Sequence, residues 1–141
     1  MIVYPDSSFL VSYYVSDSGS VEADRRMAVL PRVMVTPFHR AELANALFQW
    51  VFRGKFVEAD ALAAYGDFEQ DCESGLWEFI NLPEATFSRS VNLAKRRVGA
   101  LGVRTLDTLH VAAAIELKAD RFWTFDDRQK QLAEAEGLAT S

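Results

Sequence analysis

The stretch Ile2-Val3-Tyr4-Pro5-Asp6-Ser7-Ser8-Phe9-Leu10-Val11-Ser12-Tyr13-Tyr14 sets the reading of the whole chain. A short apolar run halts at Pro5, Asp6-Ser7-Ser8 offers helix-capping chemistry, and an apolar segment follows, so the order is strand, turn, helix. The same order returns downstream. Arg32-Val33-Met34-Val35 predicts a second strand, and Thr36-Pro37, a cap with proline in the first helical position, predicts a helix to about Arg53. Between these, Val21 to Leu30 keeps helical spacing after the polar break Ser16 to Ser20 and stops at Pro31. Gly54 breaks the chain again; Val57 to about Ser74 predicts a helix ended by Gly75, and Leu76 to Ile80 alternates as a strand does. A helix from about Glu84 to Val98 is closed by Gly99 and Gly102. Thr105 can cap a helix from Leu106 to about Lys118, with Leu106, Leu109, Ala113 and Leu117 as its apolar face and Val111 to Ile115 suited to burial. Arg121 to Thr124 predicts the last strand, Asp126-Asp127 can cap a final helix, and Gly137 can end it. Strands alternating with helices imply an α/β fold whose short, mainly parallel sheet of four or five strands is flanked by helices.

At 141 residues, half of them hydrophobic, the chain fits one domain with a sizeable core. No apolar run approaches the roughly 18 to 20 residues of a membrane span, and no secretory signal is legible, so a cytoplasmic protein is expected. The single Cys72 excludes an internal disulfide and a thiolate metal cluster. A net charge of −5 argues against a general electrostatic nucleic-acid binder. It leaves a metal-dependent nuclease open, because metal ions bridge carboxylates to phosphate and local basic groups can hold a backbone. Candidates for that are the run Lys95, Arg96 and Arg97, whose plainer reading is a solvated helix face, and Arg104.

Four acids, Asp6, Glu42, Asp107 and Asp126, fall where a strand hands over to a helix or early in a helix. In a parallel sheet the carboxyl ends of the strands share one crevice, so such residues can converge. Two carboxylates about 4 Å apart repel by about 4 kcal/mol at an effective dielectric of about 20, so a cluster calls for protonation or a cation. Each acid also has a plain alternative. Asp6, Asp126 and Asp127 serve as caps in any protein, Asp107 suits the positive end of a helix dipole, and Glu42 shares a face with Asn45 and Gln49. His110, three residues after Asp107, reads as a core histidine or a support for that acid, and His39 has less claim. No HExxH, Cys-rich, GxGxxG or GxxxxGK[ST] pattern is present.

Tyr4-Pro5-Asp6-Ser7-Ser8, Arg40-Ala41-Glu42-Leu43, the run Arg104-Thr105-Leu106-Asp107-Thr108-Leu109-His110-Val111-Ala112-Ala113-Ala114 and Thr124-Phe125-Asp126 together resemble the PIN-domain ribonucleases, and among them the VapC-like toxins of toxin-antitoxin pairs. The resemblance runs over nearly the whole chain and implies a single PIN-like three-layer domain over residues 1–141. It implies Asp6, Glu42, Asp107 and Asp126 as catalytic, metal-binding acids, with Asp127 competing for the fourth place and Ser8, Thr124 and Arg104 in support. Oxygen-only ligands suit Mg²⁺ or Mn²⁺. The implied reaction is attack of an activated water on a phosphodiester of single-stranded RNA, leaving a 5′-phosphate and a 3′-hydroxyl. The implied partners are a cognate antitoxin and a second copy in a homodimer. Phe9, Tyr13, Tyr14, Phe48, Trp50 and Phe52 exceed what one helix face buries and can line a groove for an amphipathic antitoxin segment or pack internally. Other readings are a PIN-domain nuclease of RNA processing without a toxin role, and a non-catalytic acidic-pocket binding domain. A receiver-like phosphorylation domain is disfavoured, since Asp6 is single and no Lys-Pro follows a strand.

Overall fold

The computed structural model describes residues 1–141. Its strands are β1 (Ile2–Pro5), β2 (Arg32–Val35), β3 (Trp77–Phe79) and β4 (Arg121–Trp123), all parallel, in the order β3-β2-β1-β4. The helices are α1 (Ser7–Tyr14), α2 (Ser20–Met27), α3 (Pro37–Phe52), α4 (Glu58–Ser74), α5 (Ala85–Leu93), α6 (Gly99–Leu101), α7 (Thr105–Glu116) and α8 (Asp127–Ala135). Register explains the layering. Val3 lies beside Val33, and Val33 beside Trp77; Tyr4 lies beside Phe122. Because side chains alternate across a strand, Val3, Val33, Val35, Trp77 and Trp123 face one core, built with α1 to α4. Tyr4, Met34 and Phe122 face the other, built with Leu93, Val111 to Ala114 and Leu132.

The expected sheet is therefore present with four strands, and element boundaries move by a few residues. Three differences have clear causes. Arg104, not Thr105, holds the cap position of α7; Thr105 begins the helix, and its carbonyl accepts from the Thr108 hydroxyl at 2.9 Å. Leu106 is 48% exposed, because the buried face of α7 runs through Thr108, Val111 and Ala112, whose small neighbours let α5 approach closely enough for Ser90 and Thr108 to share a hydrogen bond at 2.8 Å. Gly99 does not close the preceding helix: α5 widens into a π-helical turn over Ala94–Val98 and continues through α6 until Gly102, whose φ of +66° only glycine adopts freely. Beyond α8, Ala139 pairs with Arg121 in a bridge that the sequence pattern did not suggest.

The topology positions the site. The chain steps from β1 outward to β2 and β3, then returns to lay β4 on the other side of β1. At such a reversal the connections leave the carboxyl ends of adjacent strands in opposite directions and open a crevice. Asp6 follows β1 and Thr124 follows β4, so both stand at its mouth.

Candidate active site

Asp6 is the innermost of the acids, 1% exposed. It does cap α1, its Oδ1 accepting from the Phe9 amide at 3.1 Å and from Ser8 Oγ at 2.6 Å, while Thr124 Oγ1 donates to Oδ2. The capping alternative and the site reading thus describe one side chain. Burial pushes the Asp6 carboxyl above the ordinary carboxylate range, against the opposing pull of His110, Ser8, Thr124 and the Phe9 amide. All its hydrogen-bond donors are neutral.

Glu42 is not the solvated residue that its helix face suggested. Ser7 Oγ donates to its Oε1 at 2.6 Å, and His110 Nε2 contacts the same oxygen. Burial works to raise the Glu42 carboxyl, but His110 and Ser7 outweigh it and hold it below its ordinary value. With Glu42 as acceptor, His110 carries a proton on Nε2. Its Nδ1 lies 3.0 Å from the Tyr4 hydroxyl, within hydrogen-bond distance. Tyr4 is fully buried, and burial first, then Glu42 and Asp6, raises its pKa well above that of a free phenol. His39 anchors the neighbouring helix: its Nδ1 accepts from the Thr36 amide at 2.9 Å, completing a capping box, and its Nε2 donates to the Pro5 carbonyl at 2.8 Å.

Asp107 and Asp126 form the outer part. Asp107 Oδ2 accepts from the Arg104 amide at 3.0 Å, and its Oδ1 accepts from Gln129 Nε2 at 3.1 Å. Asp126 caps α8, accepting from the Gln129 amide at 2.9 Å, and its own amide donates to Thr124 Oγ1 at 2.9 Å. Gln129 therefore grips both acids, and Thr124 joins Asp126 to Asp6. Asp107, Asp126 and Asp127 line a cleft of about 480 Å³ with Arg104 and Arg128. A second cleft, of about 570 Å³, adjoins the inner acids through Ser7 and Ser8 and is walled by Trp50 and Phe125.

Asp6, Asp126 and Asp107 are thus linked in series through Thr124 and Gln129 at one end of the sheet, with Glu42 held apart by Ser7 and His110, and no three carboxylate or imidazole groups lie close enough to share a single ion. Glu42 is committed to His110. In donor chemistry the set suits a hard divalent cation: the ligands are oxygens, and Asp6, Asp107, Asp126 and Asp127 are in no ion pair. Gln129 Oε1 adds a buried oxygen without a hydrogen-bond partner, beside Asp107.

Sequence reading did not assign Tyr4, Gln129 or Arg128 to this region, and it set Ser7 beside Asp6 whereas its hydroxyl binds Glu42. Only Gln129 carried a local signal, standing three residues after the Asp126 cap as in a capping box. Of the Lys95 to Arg97 run, Arg96 and Arg97 both bind Glu136, and Lys95 is in no ion pair. Of the aromatic residues, Phe9 is buried and Tyr14 packs on Phe68 and accepts from Trp77 Nε1, whereas Phe52 is 87% exposed. No helix is long and apolar enough to cross a membrane.

A family model of the PIN domain matches residues 3–135. Among solved structures, the Mycobacterium tuberculosis toxin VapC20, described as cleaving the sarcin-ricin loop, gives a TM-score of 0.71 at 16% identity, with 99% of this chain and 98% of that chain covered. VapBC-1 of nontypeable Haemophilus influenzae gives 0.66 at 18% identity over 100% and 97% of the two chains. FitAcB of Neisseria gonorrhoeae gives 0.63 at 14% over 99% and 96%. At these identities the likeness is one of fold. No curated protein matches the chain at a significant level.

Proposed function

Because the chain belongs to the PIN-domain family, we propose that it is a divalent-metal-dependent endoribonuclease acting on single-stranded RNA, the VapC-like toxin of a toxin-antitoxin pair. The observation that carries this reading is Asp6: a carboxylate 1% exposed, held by neutral donors only, at the reversal point of a parallel sheet. Burying an unpaired carboxylate is costly, and a cation relieves that cost. Asp6, Asp107 and Asp126 are the residues proposed to hold Mg²⁺ or Mn²⁺, with Glu42 joining them on leaving His110. A divalent ion bound there supplies positive charge for a phosphodiester and for activation of water.

The chain's own contribution is to fix the carboxylates. Ser8, Thr124 and the Phe9 amide orient both oxygens of Asp6, and Gln129 sets Asp107 against Asp126. The open outer cleft leaves room for a bent single strand, whereas a stacked duplex presents its phosphates on a stiffer surface. For the antitoxin, the exposed Phe52, Val57 and Leu62 where α3 meets α4 offer an apolar patch that suits an amphipathic segment. A homodimer completes the proposed assembly.

Asp6→Asn and Asp107→Asn should each lower Mn²⁺-dependent cleavage of a single-stranded RNA at least about 100-fold, with an unchanged circular dichroism spectrum. Full activity in both variants, or wild-type cleavage in excess chelator, would overturn the nuclease reading. Growth arrest on expression, relieved by the product of an adjacent reading frame, tests the toxin role separately.

A further inference from the structure

Seven of the eleven arginines are ion-paired to carboxylates. Arg104 and Arg128 are not, although each lines the outer cleft beside Asp107, Asp126 and Asp127. Both also stand at the wrong end of a helix. Arg104 occupies the cap position of α7, where short polar side chains are preferred, and Arg128 is the second residue of α8. A cation beside the positive end of a helix dipole is unfavourable. Arg53, also unpaired, shows the ordinary arrangement, at the carboxyl end of α3 where the dipole favours it. Local rules are broken twice, in one cleft, with no ion pair in return, and such departures are expected at functional positions.

We propose that Arg104 and Arg128 form a clamp for the phosphodiester backbone of an RNA strand crossing the Asp107–Asp126 cleft; the identity of the strand rests on the nuclease reading above. A chain of net charge −5 repels a polyanion at long range, so binding needs local cations that its own carboxylates have not neutralised. Arg96 and Arg97 do not fill that role, because Glu136 engages them, and Lys95 does not line the outer cleft. Guanidinium groups suit phosphate because their N–H donors match its oxygens in pairs. The acids and arginines of this cleft then divide the task, the carboxylates facing a cation and the arginines facing the flanking phosphates.

The test measures binding of a fluorescein-labelled single-stranded RNA by anisotropy, in an Asp6→Asn background, across a salt series. Arg104→Gln and Arg128→Gln should each weaken binding about 3- to 10-fold and lower the slope of log K against log salt by about 0.7. Arg53→Gln should match the parent. Each clamp variant should also melt roughly 1–3 °C higher, since a misplaced charge has been removed, an effect opposite in sign to loss of a structural contact. Unchanged affinity and salt slope would overturn the clamp, as would a loss of binding that tracks a loss of thermal stability. The two readings fail separately. If wild-type protein cleaves RNA and both glutamine variants cleave with unchanged KM, the clamp falls and the nuclease stands; if nothing is cleaved but the slopes drop as stated, the clamp stands and the nuclease falls.

Discussion

Replacing His110 tests how the inner site is held together. The imidazole is 1% exposed and faces two partners, the Glu42 carboxylate through Nε2 and the Tyr4 hydroxyl through Nδ1. His110→Ala removes a hydrogen bond to a charged group, worth about 1.5–3 kcal/mol, and leaves the buried Tyr4 hydroxyl without its imidazole partner, at about 1–3 kcal/mol. A loss of about 3–5 kcal/mol follows. At about 2.1 cal/mol/K per residue, a chain of this length has an unfolding entropy near 0.3 kcal/mol/K, so the melting temperature should fall by roughly 10–17 °C. Tyr4→Phe alone should cost about 1–1.5 kcal/mol. Because both changes sever the same bond, the double variant should be about 1–2 kcal/mol more stable than the summed losses predict, measured by urea unfolding. Two further variants divide the imidazole's roles. Glutamine places its amide near the position of Nε2 and asparagine near that of Nδ1. His110→Gln should therefore keep most RNA cleavage, and His110→Asn should lose about 10- to 100-fold while retaining more of the Tyr4 coupling. Additivity of the Tyr4 and His110 losses, or equal activity in the two amide variants, would refute the division of the imidazole between Tyr4 and Glu42.

Three other outcomes are expected. Gln129→Leu removes a bond to Asp107 and also a buried, unpartnered carbonyl, two effects of about 1–3 kcal/mol and opposite sign, so unfolding free energy should change little while Mn²⁺ affinity by calorimetry falls about 3- to 10-fold. Asp126→Asn should abolish cleavage and Asp127→Asn should retain it, since Asp126 is the one tied by hydrogen bonds to Thr124 and Gln129; the reverse result would reassign the fourth acid. Burial, aided by His110, lowers the His39 pKa from 6.5 to about 3. Between those values the unfolded chain binds a proton that the folded one refuses, so this residue's contribution makes stability rise as pH rises from about 3 to 6.5 and drop as pH drops through that window, by up to about 1.4 kcal/mol per unit. Nitrogen-15 spectra should show His39 neutral at pH 5; a protonated ring there would contradict the acceptance of the Thr36 amide by its Nδ1.

The strand-turn-helix reading of residues 2–14 survives intact, and with it the parallel sheet, because apolar alternation and turn chemistry act over a few neighbours. Asp6 and Asp126 were legible for the same reason: each caps the helix that follows a strand. Helix ends were less legible. Gly99 stays helical and Leu106 turns outward, since the packing of α5 on α7, rather than local pattern, chooses which face is buried.

The sequence alone determined the order of elements and the residue types available for chemistry, because both depend on local periodicity and on side-chain composition. Tertiary structure decided what those residues do. It took Glu42 from an apparently solvated face and set it against His110, 68 residues away, and it joined Asp107 to Gln129 across two helices. It also engaged Arg96 and Arg97 with Glu136 while leaving Arg104 and Arg128 unpaired. Such partnerships depend on which strands lie side by side, and the return of β4 to the flank of β1 brings together groups whose separation along the chain carries no local signal.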